Sequence, residues 1–522
     1  MKKNIKSKIF NEKEIAIFLT LYFILNALFL TKYPFIHSDE SWLSGLSRNY
    51  LETGSPIITE TFFDLLPRFP HAIKIFFHYL QVFFIKLFGY NLFSVRLISL
   101  LFSVFSLYIL YLLGKKILNS KKSSLILVAL VSFDIHYIYT SHFARQEAII
   151  LFILILNFYL YLILKETSTK PVILGIITGL SIGIHPNSLF AAALIGACYL
   201  YDILIIKEKK IKNLLFFIIT VGTFAVLFVL LSLYFDPNFF MNYKNFGDQF
   251  SVFAQPVSRI SEIKNFYLKL FYKVSGTYYI PNIKFQLVLF PVLLLINIFK
   301  YLYYGKFSES KIIGILIFII TALNITFIVI GRYNQTSIVF IFPFFWILFI
   351  LTFKNLKFKN ILYHLTILTL LIISAMNIIP YLNNDYQDYL RSISRYVDKD
   401  DTVLANLNSE FYFNNGSLYD YRNLHFLKDN NMSFSEYIEK NNIEYIIYPE
   451  EMDFIYNTRP VWNFIYGNLY YYYEGMHSYI DNNCRLVNTF NSPYGMRLSM
   501  YMYDKSWNIK IYKVNWYFKL NI

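Results

Sequence analysis

Two cysteines are all that 522 residues contain. Cys198 lies inside an apolar run and Cys484 in a polar tail, so neither a disulfide framework nor a thiolate metal site is expected. Charge is also scarce. Only 16% of residues are Asp, Glu, Lys or Arg, while 56% are hydrophobic. A water-soluble chain of this length needs more charge than that, which excludes an ordinary globular enzyme. No glycine-rich phosphate loop, tandem repeat, heptad seam or low-complexity linker is present. A nucleotide-binding fold, a solenoid and a coiled coil are thereby set aside. The first apolar run lacks a small-residue cleavage site and is too long for a signal-peptide core, so it is expected to stay as the first span.

What the chain does have is one long apolar run after another, the mark of a polytopic membrane protein. Its net charge of +15 suggests a nucleic-acid partner only until the distribution is considered. Residues 381–522 hold 13 Lys+Arg against 17 Asp+Glu, whereas residues 1–380 hold 35 against 16. The excess positive charge sits in short loops between apolar runs, as in cytoplasmic membrane loops. About eleven spans are expected, at 14–32, 92–113, 123–140, 148–164, 171–184, 188–206, 213–235, 284–303, 312–330, 336–353 and 360–380. The Lys-rich N-terminus then lies in the cytoplasm of a multi-pass cell-membrane protein. Residues 1–380 form a helical membrane domain, and residues 381–522 a small extracytoplasmic α/β domain. Between spans one and two, Leu43, Leu46 and Leu51 mark one face of an interfacial helix, with Arg48 and Glu52 opposite. Residues 71–88 read as a helix lying along the outer surface, and 236–281 as a long outer segment.

Several polar clusters fall on the outer face of this arrangement. Asp39 and Glu40 follow span one, where an ionisable side chain is costly unless it has a use. A carboxylate there serves as a general base for a hydroxyl, helps hold a divalent cation, or simply hydrates a loop. His142, Arg145 and Glu147 follow span three. Arginine's planar fork suits a phosphate, although an internal Arg–Glu pair fits the same residues. His185 precedes Pro186 after span five, as a catalyst or as a polar cap or interfacial residue, and Arg332-Tyr333 follow span nine, as an anion site or as interfacial anchors.

With these motifs in place, the chain resembles the GT-C glycosyltransferases, in particular the family 39 group of protein O-mannosyltransferases and lipid A aminoarabinose transferases. The acidic pair Asp39-Glu40 looks like that group's first-loop motif. The stretch Arg68-Phe69-Pro70-His71 through Leu87-Phe88-Gly89 and Arg96-Leu97-Ile98 resembles its amphipathic loop helix leading into the second span. Phe143-Ala144-Arg145-Gln146-Glu147 resembles the Arg-x-acid motif before span four, and Arg332-Tyr333 with Phe342-Pro343 the late Arg/Lys-Tyr motif. The pattern covers about the first 380 residues and is strongest over 33–150. The third outer loop lacks the long acceptor-recognition insert of eukaryotic protein mannosyltransferases, and the tail is not a β-trefoil, so a protein acceptor is not supported.

The resemblance implies a hexosyl- or pentosyltransferase that moves a sugar from a polyprenyl-phosphate donor to a glycan, lipid or protein acceptor. Asp39 is expected as the base, with Glu40 as its helper. Arg145, Arg332 and Tyr333 are expected at the donor phosphate, supported by His142, Glu147 and His185. The residues name no particular cofactor, and a divalent cation on Asp39, Glu40 and Glu147 is compatible with these residue types. The competing classes are a flippase or transporter of lipid-linked sugars, an oligosaccharide polymerase or ligase, and a structural membrane component.

Overall fold

A computed structural model describes residues 12–65, 69–249, 256–274, 276–304, 308–331, 333–498 and 507–516. Its helices follow the apolar runs closely. They are α1 (Lys13–Leu28), α2 (Ser38–Thr53), α3 (Ile75–Phe88), α4 (Leu92–Leu118), α5 (Lys121–Ser132), α6 (Ile135–Ser141), α7 (Glu147–Ile163), α8 (Thr169–Leu180), α9 (Leu189–Leu204) and α10 (Ile211–Phe235). There follow α11 (Phe239–Gln249), α12 (Pro256–Tyr272), α13 (Lys284–Tyr304), α14 (Ser308–Ile330), α15 (Phe342–Phe353) and α16 (Lys359–Leu382).

Six helical segments among the described residues are long and apolar enough to cross a membrane, seven if the bent pair α5–α6 counts as one span. The remaining expected spans fold as shorter helices: α1 has 16 residues, α7 17, α8 12 and α9 16. At about 1.5 Å per residue, such helices fall short of a hydrocarbon core of about 30 Å. The expected third span is broken by 69° at residues 133–134. Asp134 causes the break by acting as a cap: its carboxylate accepts the backbone N–H of His136 at 3.0 Å and so starts a new helix.

Close helix contact explains one glycine series. Gly175, Gly179 and Gly183 recur every fourth residue and meet Thr220, Phe224 and Phe228 of α10, which have the same spacing. A methyl group on Gly179 would lie 2.5 Å from the Phe224 ring. Small residues at this spacing let two membrane helices approach. Gly179→Ala is therefore expected to destabilise the protein by about 1–3 kcal/mol through overpacking. Gly196→Ala, where nothing lies within 4 Å, should be neutral or mildly stabilising. Thermal melting of the two variants in detergent checks the contrast.

Beyond α16 the chain forms α17 (Tyr386–Ser394), β1 (Val403–Ala405), β2 (Leu418–Asp420), α18 (Phe434–Lys440), β3 (Tyr445–Pro449), α19 (Glu451–Thr458), α20 (Leu469–Asn483), β4 (Cys484–Asn491) and β5 (Asn508–Val514). The strands make one mixed sheet in the order β2-β1-β3-β5-β4. Pairing is parallel from β2 to β3 and antiparallel from β3 to β4. Buried aromatic side chains such as Tyr421, Tyr437 and Tyr472 fill its core, so most of the tyrosine enrichment is internal packing.

This unit is docked on α2, which corrects the expected orientation of that helix. Arg48 does not face water opposite a leucine stripe. It is buried, pairs with Glu410, donates to the Phe413 carbonyl at 2.8 Å and stacks on Tyr90. An arginine that finds a carboxylate, a carbonyl and a ring is better satisfied against protein than at a membrane surface. Neighbouring polar contacts extend the seam. Asn423 donates to the Phe62 carbonyl at 2.6 Å, and Asn415 to Glu52 at 2.6 Å.

Candidate active site

The N-terminus of α2 builds the site. Its backbone is turned by cis Tyr33-Pro34 and then capped from both directions. The His37 ring accepts the Asp39 N–H at 3.0 Å, and the Glu40 carboxylate accepts the His37 N–H at 3.0 Å. One helical residue apart, the two acids point to different places. Glu40 is fully buried and forms a two-pronged ion pair with Arg96 of α4, at 2.7 and 2.8 Å. It also accepts the Ala144 N–H at 2.9 Å. Arg96 in turn donates to the carbonyls of Leu30 and Pro34 at 2.8 and 3.0 Å. With its lone pairs so occupied, Glu40 anchors the loop that carries Asp39 instead of facing the same space as its neighbour.

Asp39 keeps 21% of its side chain exposed and faces Arg145. Its Oδ2 accepts from Arg145 Nη1 at 2.9 Å and from the Tyr278 hydroxyl. Arg145 also donates to Tyr278 and lies 3.3 Å from Glu147 Oε1, so one guanidinium is shared by two carboxylates. Glu147 accepts the Thr336 hydroxyl at 2.6 Å. Through Ser337 this strand of contacts reaches Asn187, next to His185, at 3.5 Å. Three buried polar atoms here, His37 Nε2, Arg145 Nε and Glu147 Oε2, have no hydrogen-bond partner among the described residues. Buried polar atoms are rarely left so, and their convergence on one loop cluster marks a place for polar chemistry.

Electrostatics separate the members of the cluster. Burial works to raise the Asp39 pKa, but His37 (protonated in the acid range where Asp39 titrates), Arg145, the Tyr278 hydroxyl and Arg422 together outweigh it and hold the carboxyl well below its ordinary range. Burial pulls His37 down to about 4, so at neutral pH the imidazole is uncharged and Arg145 carries the stabilisation of Asp39. Burial opposes the charge on Arg145 too, yet Glu147, Tyr278 and Asp39 push its pKa up.

The structure brings together Asp39, Arg145 and Glu147, with His185 at the edge through its neighbour. His142 sits elsewhere. Its two ring nitrogens lie 2.9 Å from the Tyr33 carbonyl and 2.9 Å from Asn26 Oδ1, which ties α1 to the loop after α6. Tyr333 donates its hydroxyl to the Arg259 carbonyl and packs on Phe266, so it holds α12 rather than facing Arg145. Arg332 and Arg68 lie outside the described residues. Asp39, Glu40 and Glu147 do not converge, because Glu40 is held by Arg96. Among the described residues no three His, Cys, Asp or Glu side chains group as a cation site.

Sequence reasoning missed Tyr278, which arrives from the long 236–281 segment, and Arg422, which arrives from the C-terminal unit. Neither sits in a recognisable local pattern. At the far end of α7 the Lys-rich loops gather instead: Lys209 pairs with Asp202 at 2.9 Å, and Tyr161 donates to Asp202 at 2.7 Å. From Glu147 to Tyr161 is about 21 Å along the helix, so the acid–arginine cluster and the lysine cluster occupy opposite ends.

Comparison with known proteins follows this geometry. Residues 71–235 match the family model described as dolichyl-phosphate-mannose-protein mannosyltransferase, a stretch that includes Arg145 and Glu147 and begins after Asp39. No curated protein sequence matches the chain. A crystal structure of ArnT from Cupriavidus metallidurans bound to undecaprenyl phosphate is similar, with a TM-score of 0.52 and 11% identity, over 84% of this chain and 96% of that one. The same protein in its apo state gives a TM-score of 0.51 and 12% identity over 82% and 94%. The chain thus has the fold of the GT-C membrane glycosyltransferases, as its resemblance to family 39 implied.

Proposed function

We propose that the protein transfers a sugar from a polyprenyl-phosphate donor to an acceptor hydroxyl at the outer membrane face. The observation that carries this reading is the shared Arg145: an accessible carboxylate, Asp39, on one side and Glu147 on the other. The acceptor oxygen attacks the anomeric carbon as the bond from that carbon to the phosphate oxygen breaks. Asp39 takes the hydroxyl proton, and polyprenyl phosphate leaves with its negative charge on the side of Arg145. The anomeric centre is inverted. Arg145 is already oriented by Asp39 and Glu147, so it requires little reorganisation as charge grows on the phosphate. Once the phosphate engages Arg145, the Asp39 carboxylate loses part of its counter-charge and becomes a better proton acceptor.

The fold shared with ArnT, whose crystal structure holds undecaprenyl phosphate, supports a lipid-linked donor. The polarity of α7, with lysines at one end and the acid–arginine cluster at the other, supports an extracytoplasmic site and C-terminal unit and a cytoplasmic N-terminus. Eleven crossings follow if the short helices α1, α7, α8 and α9 traverse together with their polar ends. The flippase reading predicts ionisable groups along a transmembrane path. Asp134 is such a group, but it is consumed in capping α6 and accepting from Trp346 at 3.2 Å. The deciding experiment supplies purified protein in vesicles with radiolabelled polyprenyl-phosphate sugar and an outer-membrane or cell-surface glycan extract. Label in the glycan and free polyprenyl phosphate are expected. Label that crosses the bilayer still attached to lipid would make the protein a flippase.

A further inference from the structure

Arg422 belongs to the C-terminal unit yet lies over the start of α2. Its guanidinium stands 4.6 Å from the ring centre of Trp42 and 5.6 Å from that of Phe63. Trp42 is three residues after Asp39, on the same face of the helix. The backbone around Arg422 is fixed to the membrane-domain loop on both sides: Asp420 N–H and Asn423 Nδ2 both donate to the Phe62 carbonyl, at 3.1 and 2.6 Å. Its position relative to Asp39 is therefore set by the fold.

Among the described residues no carboxylate pairs directly with this arginine; Asp420 and Asp39 act on it only through space. Asp420, the nearest acid in sequence, spends both oxygens on Arg497 and accepts the Arg422 and Leu407 N–H groups. Asp39 and Glu147 are shared with Arg145, and Glu410 is taken by Arg48. Among the described residues the Arg422 side chain makes no hydrogen bond or ion pair and rests only on aromatic faces. Its basicity accordingly falls, mainly through burial and then through Arg497, whereas Arg48 and Arg145 are raised by their carboxylates. A half-buried cation held rigidly at a site, with its five donors unused, is an anion ligand waiting for its anion.

We infer that Arg422, stacked on Trp42, is a phosphate-binding residue that the C-terminal unit contributes to the membrane-domain site. This rests on the glycosyltransferase reading and adds to it a role for the C-terminal unit: it completes the site with a second cation for a phosphate. The phosphate is either that of the polyprenyl donor or one carried by the acceptor.

The test is direct binding to the full-length protein in neutral-lipid nanodiscs, with polyprenyl phosphate and, separately, a soluble hexose phosphate as probes. Loss of charge-assisted hydrogen bonds should weaken binding about tenfold or more in Arg422→Gln. Arg422→Lys, which keeps the charge without the fork, should fall between the two. Uncharged polyprenol should bind both proteins alike. Weakening confined to polyprenyl phosphate assigns Arg422 to the donor, and weakening confined to hexose phosphate assigns it to the acceptor. Equal binding of both probes by wild type and Arg422→Gln, with unchanged melting, overturns the inference while leaving the glycosyltransferase reading intact. Absence of polyprenyl phosphate binding by wild type overturns both. If Arg422→Gln melts early, Arg422→Lys decides: intermediate affinity with wild-type salt sensitivity in that variant supports the charge, and loss equal to that of Gln overturns the inference in favour of a packing role.

Discussion

Asp39→Asn is expected to reduce sugar transfer about a hundred- to ten-thousandfold, the range associated with removing a positioned general base. The protein should still accumulate and insert, with only a modest drop in melting temperature, because Arg145 keeps Glu147 as a counter-charge. The reason is geometric. An Asn oxygen can go on accepting from Arg145 and Tyr278, and the side chain is not sealed in the core. What disappears is the ability to take a proton. The pH profile supplies a second reading. Because the folded-state pKa is depressed, the carboxylate is ionised throughout neutral and mildly acidic conditions. Activity should therefore stay flat from about pH 8 to pH 5 and fail only as pH drops through the lowered pKa. The stability supplied by the Asp39–Arg145 pair is lost in that same acid range. Tyr278→Phe removes one donor to the carboxylate, so the acid limb should move to higher pH with transfer retained in part. Transfer by Asp39→Asn within threefold of wild type, measured in membranes with equal protein, would end the base assignment.

Glu40→Gln should behave in the opposite way, although the residue is the immediate neighbour. It is expected to cost about 3–5 kcal/mol, because it leaves the guanidinium of Arg96 buried without its counter-charge. Arg96→Leu should cost as much. It strands the Glu40 carboxylate and also frees the carbonyls of Leu30 and Pro34. Replacing both partners with leucine is not expected to rescue the fold, since four backbone groups would lose their partners: the N–H of His37 and Ala144 and those two carbonyls. Each such group left unpaired costs about 1–3 kcal/mol. Yield and melting temperature in detergent are the measurements. A Glu40→Gln protein that melts like wild type but transfers no sugar would return Glu40 to the chemistry. The contrast between adjacent acids matters because this ion pair joins the α1–α2 turn, α4 and the loop before α7. It is what holds Asp39 opposite Arg145.

The local pattern made much of this legible. Leu, Ile and Phe runs bounded by lysines, prolines and glycines placed nearly every helix, since apolar length and turn residues act within a short window. The acidic pair and Arg-x-Glu were visible for the same reason: each lies at the boundary of an apolar run, where a charge stands out. Their division of labour was not. Asp39 and Glu40 are alike in sequence, and only Arg96, 56 positions away, separates an anchored acid from an accessible one. His142 and Tyr333 looked equivalent to Arg145 as boundary residues, but Asn26 and Arg259 had already engaged them.

Sequence alone determined the run of apolar helices, the mixed α/β character of the residues after them, the gathering of ionisable clusters at helix ends, and Asp39 and Arg145 as candidates. These depend on periodicity and charge along the chain, which are local properties. Tertiary structure alone decided which candidate meets which. It placed Tyr278 against Asp39 from a segment more than two hundred residues away, and seated Arg422 of the C-terminal unit on Trp42. Hydrogen bonds and ion pairs act over a few ångströms in space, so their partners are set by packing and leave no periodic trace in the order of residues.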